Sequence, residues 1–450
     1  MTLSKNSVSL VALVIILVIP FKVTYTLTTS DTSSASATWM DLTSSLSMSP
    51  SPRGGSSMVY DVADGSLLLF GGATSSSSFS DTWTLDGSWN HIKPAASPPA
   101  RSQAAIVYDG ADGYVLLFGG VASDGTVFGD TWEFSGGRWT ELNLSAAPSP
   151  RAEASMSYDA SDGYVVLFGG NVGTISIYGD TWKFKSGVWT QLNPLTSPRA
   201  RTGAGMTYDS RDGYVLLFGG TTNPCCSNAG LADTWEFSGG SWTQLSPSPS
   251  PADRDGFEFM AYDTSLGSVV LFGGWIPAGA CGSDAGDTWE FSAGTWTQLS
   301  PPSSPSPRVA PIAYDDHLAA IVLFGGGVQV GASPSAGCGT SEFESDTWEF
   351  GAGLTAASSV SGAAAASSLF TYAAVGIVVV VLAVVFLAVG RGRRKRALRH
   401  APVATISSSG SAQMASPERT EKLQRLRKML DLGLITQKDY EDQRRRLNTS

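Results

Sequence analysis

The stretch "GYVLLFGG" fills residues 113–120, recurs letter for letter at 213–220, and stands as "GYVVLFGG" at 163–170. Its apolar core "YVLLF" has no polar alternation, so a strand made from it must be covered on both faces. Each copy follows a Tyr-Asp pair, and anchoring on that pair reveals the whole repeat. Tyr60, Tyr108, Tyr158, Tyr208, Tyr262 and Tyr314 mark six units at spacings of 48, 50, 50, 54 and 52 residues. A fixed period of this length signals a repeat architecture, in which no unit can bury its apolar face alone.

Within a unit, four short runs are separated by turn residues: one ending in Tyr-Asp, then "YVLLF", then "DTWEF", then "WTQL". Runs this short, rich in Val, Phe, Trp and Thr and bounded by Gly and Asp, read as strands with tight antiparallel links. Four-stranded sheets arranged radially around an axis cover one another's faces, which the apolar second strand requires. The expected fold is therefore all-β, a six-bladed β-propeller. Gly-Gly closes the second strand in every unit, from Gly71-Gly72 to Gly325-Gly326, where blades crowd and backbone must approach backbone.

The sixth unit reaches "DTWEFGAGL" and lacks its "WTQL", whereas "TWMDL" stands alone at 38–42. Residues 39–42 are expected to supply the missing outer strand, closing the ring and removing its open sheet edges.

The Gly-Gly doublet, the aromatic after Asp-Thr and a second Trp six or seven residues later resemble the kelch-repeat β-propellers, over about 310 of the 450 residues. That resemblance implies the fold far more than a function, since one fold hosts many roles. It also implies that the Arg opening each unit (Arg53, Arg101, Arg151, Arg201, Arg254, Arg308) lies near the channel mouth. Six guanidiniums there suit carboxylate or phosphate capture. The alternative is that each Arg pairs with a local Asp or carbonyl and pins its blade.

Outside the repeat, residues 1–37 hold a fourteen-residue apolar run (8–21) after Lys5, which reads as a signal peptide or an N-terminal anchor. Residues 369–389 are 21 without a charge, enough to cross a bilayer as a helix. Arg391, Arg393, Arg394, Lys395 and Arg396 follow, placing the C-terminus in the cytoplasm and residues 38–351 outside, at the plasma membrane. Residues 352–368 form a Ser/Ala-rich stalk, and 390–415 a basic juxtamembrane segment and linker. Leu423, Leu426 and Leu430 at helical spacing, with Gly433 and Thr436 as caps, give a helical hairpin over 416–450. It is similar to the short C-terminal module called SHOCT, which implies self-association or a protein partner.

Charge divides the chain: residues from 391 onward carry +9, and the rest −19. An acidic propeller argues against nucleic acid as its partner. Cys225, Cys226, Cys281 and Cys338 all lie on the outer side, where disulfides persist, with three complete pairings open.

Candidate chemistry is sparse, and no catalytic group, metal or cofactor is assigned. His91, His317 and His400 have no Cys, His or acidic neighbours at metal-ligand spacing. Asp159 and Asp162 read as turn residues before calcium ligands. The units differ most just after Gly-Gly, where the loops lengthen to 12 residues in units four and five and 19 in unit six (327–345). These loops hold all four cysteines and Trp275, which alone of 13 tryptophans stands outside the repeat pattern. Departures from a rigid repeat are where binding specificity resides. The expected function is non-catalytic binding of a protein or glycan ligand at the cell surface. The alternatives are an extracellular carbohydrate-active enzyme and a scaffold of a membrane complex.

Overall fold

A computed structural model describes residues 37–173, 176–223, 230–277, 282–330 and 340–351, together with Arg427 and Arg444. The segments expected to form a leader, stalk, transmembrane helix, basic linker and most of a helical hairpin, and all four cysteines, lie outside the described residues. Among those described, no helix is long and apolar enough to cross a membrane.

Six antiparallel four-stranded sheets form the propeller. Blade two is representative, with strands Ala105–Asp109, Tyr114–Phe118, Thr131–Ser135 and Arg138–Glu141 running from the axis outward. Each inner strand touches the inner strands on either side, and that of blade one meets that of blade six, so the ring is closed. The second strands are buried on both faces: Val115, Leu116 and Leu117 have no exposure, nor do their counterparts in the other blades.

Closure comes from the first strand of the chain. Thr38–Asp41 pairs antiparallel with Thr340–Gly351 and becomes the outer strand of blade six. Trp39 is buried there, 4.8 Å from Phe272 and 5.1 Å from Phe350 between ring centroids.

The recurring "DTW" is explained letter by letter. Its Thr accepts a hydrogen bond from the outer-strand Trp of the neighbouring blade. Trp139 Nε1 donates to Thr82 at 2.9 Å, Trp89 to Thr347 at 3.0 Å and Trp39 to Thr288 at 2.9 Å, with the same bond at the other three junctions. The Trp of "DTW" donates instead to its own Asp, as Trp132 does to Asp130 at 2.7 Å. The first glycine of each doublet lies against the next blade's Arg carbonyl. A Cβ on Gly71 would stand 2.5 Å from Arg101 O, and φ there is +66°, so both sterics and conformation require glycine.

The post-doublet segments of units five and six are strands where long loops were expected. In blade six Ala320–Val330 pairs with Thr340–Gly351 out to Val330 opposite Thr340, with a register shift between Phe324 and Gly326. In blade five Trp275–Ile276 pairs with Ser283–Asp284. The alternation "VQV" against "TSEFE" supplies the two-residue period that the Gly, Ser and Pro of the intervening stretch obscure.

Candidate functional site

The residue after each Arg bridges to the residue after each Gly-Gly, for example Ser102 to Val121 and Asp255 to Trp275. The arginines and the variable segments therefore share one face, and the Tyr-Asp turns lie on the other.

All six arginines are inside the protein. Arg101 chelates Asp130 through Nη1–Oδ1 at 2.6 Å and Nη2–Oδ2 at 2.7 Å. It also donates to Gly119 O at 2.8 Å and Pro99 O at 3.0 Å. Its guanidinium lies 3.9 Å over the Phe128 ring. Arg53, Arg151, Arg201 and Arg254 chelate Asp81, Asp180, Asp233 and Asp287 in the same way, and Arg308 binds Asp346 through Nη1 alone while its Nη2 donates to Ser306 Oγ; all lie at 2.6–2.7 Å from their Asp with the Arg buried. This corrects the expectation of a guanidinium ring open to ligand at the channel mouth. Donors already spent on a carboxylate and two carbonyls cannot also capture a solute, and the arginine is the pin of each blade.

The Tyr-Asp aspartates are likewise structural. Asp159 Oδ1 accepts from the amides of Ser161 at 3.0 Å and Asp162 at 3.2 Å, while Asp162 accepts from Tyr164 Oη at 2.8 Å. Among the described residues no group of three His, Cys, Asp or Glu side chains is placed to hold a metal. His91 is exposed and stacks on Trp83 at 4.6 Å, and His317 is exposed in a turn.

These turn carboxyls carry a testable cost. Burial, then the charge of Asp112, pushes Asp109 up to about 7, against the pull of two amide hydrogen bonds. A carboxyl raised in the folded state favours folding below its unfolded value, and that contribution is lost as pH rises through about 7. Asp109→Asn keeps an acceptor for the Ala111 and Asp112 amides without the charge. Its stability relative to the parent should climb between pH 4 and pH 8 in denaturant titrations; a constant difference would refute this.

On the arginine face the variable segments join into a rim. Trp275 is half-buried, its backbone bonded to Asp255 in both directions, and its indole lies over Gly282, where any side chain would collide with it. Asp284 Oδ2 accepts the Gln329 amide at 2.5 Å, tying the hairpin of blade five to that of blade six. Pro277 packs on Gly230 of blade four, and Phe343 packs on Gly54 at the entry to blade one. The rim thus runs from blade four through five and six to blade one.

Inside the rim, a belt of main-chain hydrogen bonds links blades one to five along the channel: Gln103 N to Gly55 O, Glu153 N to Gln103 O, Gly203 N to Glu153 O and Gly256 N to Gly203 O, at 2.7–3.1 Å. Glu153 accepts from Gln103 Nε2 at 2.6 Å, Thr202 Oγ1 at 2.8 Å and Asn171 Nδ2 at 3.2 Å. Burial nonetheless raises its pKa, and burial with the Glu153 charge pushes Asp255 up to about 7. Sequence reading missed this pair, because neither carboxylate sits in a recognisable motif and their proximity depends on the belt.

The repeats, the ring and its closure define a six-bladed β-propeller, and comparisons with known proteins support kelch repeats within it. A family model for the KLHDC2/KLHL20/DRC7 Kelch-repeats domain matches residues 22–197. Among solved structures the chain is similar to that of YjhT, at 16% identity and a TM-score of 0.50, covering 67% of this chain and 95% of that one; the likeness bears on the fold alone. No curated protein matches. A kelch propeller suggests a protein-binding scaffold.

Proposed function

We propose that this chain is a single-pass recognition protein that displays its propeller outside the cell and binds a protein or glycan without chemical turnover. The observation that carries this reading is the joined rim over blades four to one, where three unlike segments meet around Trp275 on an otherwise uniform ring. A half-buried Trp on a braced hairpin supplies a rigid apolar anchor of the kind that dominates binding energy. Residues 369–389 anchor the protein in the plasma membrane, and residues 416–450 meet a protein partner or a second copy in the cytoplasm.

The test is a protein and glycan array probed with the full-length protein in detergent. For the captured ligand, Trp275→Ala and replacement of residues 331–339 by a two-residue turn should each weaken binding at least about tenfold, roughly 1.4 kcal/mol. Melting temperature should not change. Full binding by both variants would overturn the proposal.

A second reading, an enzyme acting on carbohydrate, draws on Glu153 and Asp255: a carboxyl raised to about 7 beside a buried one suits general acid–base work. Hydrolysis of a chromogenic glycoside panel, lost in Asp255→Asn, would favour it over recognition.

A further inference from the structure

The face opposite the rim opens into the central channel as a well of about 230 Å³. A cavity of about 150 Å³ already admits benzene, so a phenylalkyl group has room here. Met58, Ile106, Met156, Met206, Met260 and Ile312, each two residues before its Tyr-Asp tyrosine, form an apolar ring within it. The six tyrosines form a second ring nearer the opening, and among the described residues no Lys or Arg lines the well.

Sixfold repetition makes the exceptions along this wall conspicuous. Four residues before the tyrosine stand Ser56, Ala104, Ala154, Ala204 and Ala310, but Glu258 in blade five. Two residues after it stand Val62, Gly110, Ala160, Ser210 and Thr264, but Asp316 in blade six. The well therefore has one carboxyl toward its floor, from blade five, and one at its mouth, from blade six.

The two differ in environment. Glu258 arises from an extra residue: Arg254 and Asp263 are nine apart, against eight in the first four units. It reaches past blade six to accept the Met58 amide at 2.7 Å, and burial pushes its carboxyl well above the usual range despite that bond and the nearby Ile106 amide. Asp316 is half-buried beside Tyr60 and Tyr314, whose hydroxyls its charge helps to push up, after burial. Among the described residues the only charge lining the mouth is negative, and it is set among aromatic rings of the kind that attract cations.

We propose that this well binds a small amphipathic ammonium ion, its apolar end on the Met/Ile ring and its charged head at Asp316 between Tyr60 and Tyr314. The site is independent of the rim on the other face.

The full-length protein is titrated calorimetrically with 2-phenylethylamine, 2-phenylethanol and 3-phenylpropionate at pH 7. The amine should bind at least about tenfold tighter than the alcohol, and the carboxylate weakest. Asp316→Asn, a change at a half-buried turn position, should bring the amine to the affinity of the alcohol. Glu258→Gln should leave the preference intact, and Met206→Trp, which fills the well, should abolish binding of all three. Equal binding of amine and alcohol, a preference that survives in Asp316→Asn or disappears in Glu258→Gln, or undiminished binding in Met206→Trp at an unchanged melting temperature, would each overturn the proposal.

Discussion

Replacing Trp39 with alanine should lower the unfolding free energy by about 4 kcal/mol, the usual cost of truncating a buried Trp. For a domain of this size that is roughly a 6 °C fall in melting temperature. The indole is buried between Phe272 and Phe350 and donates to Thr288 of blade five, so its loss opens a cavity at the junction where the chain's two ends meet. Trp39→Phe keeps a ring in place and forfeits the hydrogen bond, and should cost about 1–2 kcal/mol. Melting curves of the purified full-length protein distinguish the cases. An unchanged melting point in Trp39→Ala would mean that Thr38–Asp41 does not close the propeller.

Arg101→Ala should be as damaging, at about 3–5 kcal/mol, because it leaves a partner charge half-buried and two carbonyls unpaired. Arg101→Lys should recover little of this, since an ammonium cannot chelate both oxygens of Asp130 while stacking on Phe128. The pair has a pH signature. Burial of Asp130 works against ionisation, but the hydrogen bonds and charge of Arg101, with the Trp132 indole, hold its pKa below the ordinary value. A depressed carboxyl contributes stability above its unfolded pKa of ~3.9, which is lost as pH falls through the lower folded value. Asp81, Asp180, Asp233 and Asp287 are depressed in the same way, so the native protein should lose stability steeply in acid, and Arg101→Ala less steeply. Parallel acid titrations of parent and variant that show equal slopes would argue that the pair carries no net charge energy.

The ring was readable because its determinants repeat. Six doublets, six Tyr-Asp pairs and a displaced "TWMDL" specify blade number and closure without any long-range information. The partnership of Arg and Asp was visible only as two recurring letters. They stand 28 to 38 residues apart, and nothing local says that they meet, which is why an open guanidinium ring was as readable as a buried clamp. Four of the six Trp-to-Thr bonds cross between blades over 57 to 62 residues and the other two over 249 and 258, and all were equally hidden. The hairpin of blade six was lost among glycines and serines, and the Glu153–Asp255 pair requires the belt to bring it together. Glu258 is a one-residue insertion in "RDGFEFMAYD", a detail that matters only once the channel is known.

Thr38 and Gly351 face each other in register, so the two ends of the propeller leave it side by side at the same end of one strand pair. Tension between the preceding and following segments would therefore load that pair as a zipper, one rung at a time, rather than shearing all its rungs together. The covalently continuous blades would feel no force until Thr38–Asp41 had peeled away. The seam that completes the ring in sequence is also its mechanical fuse.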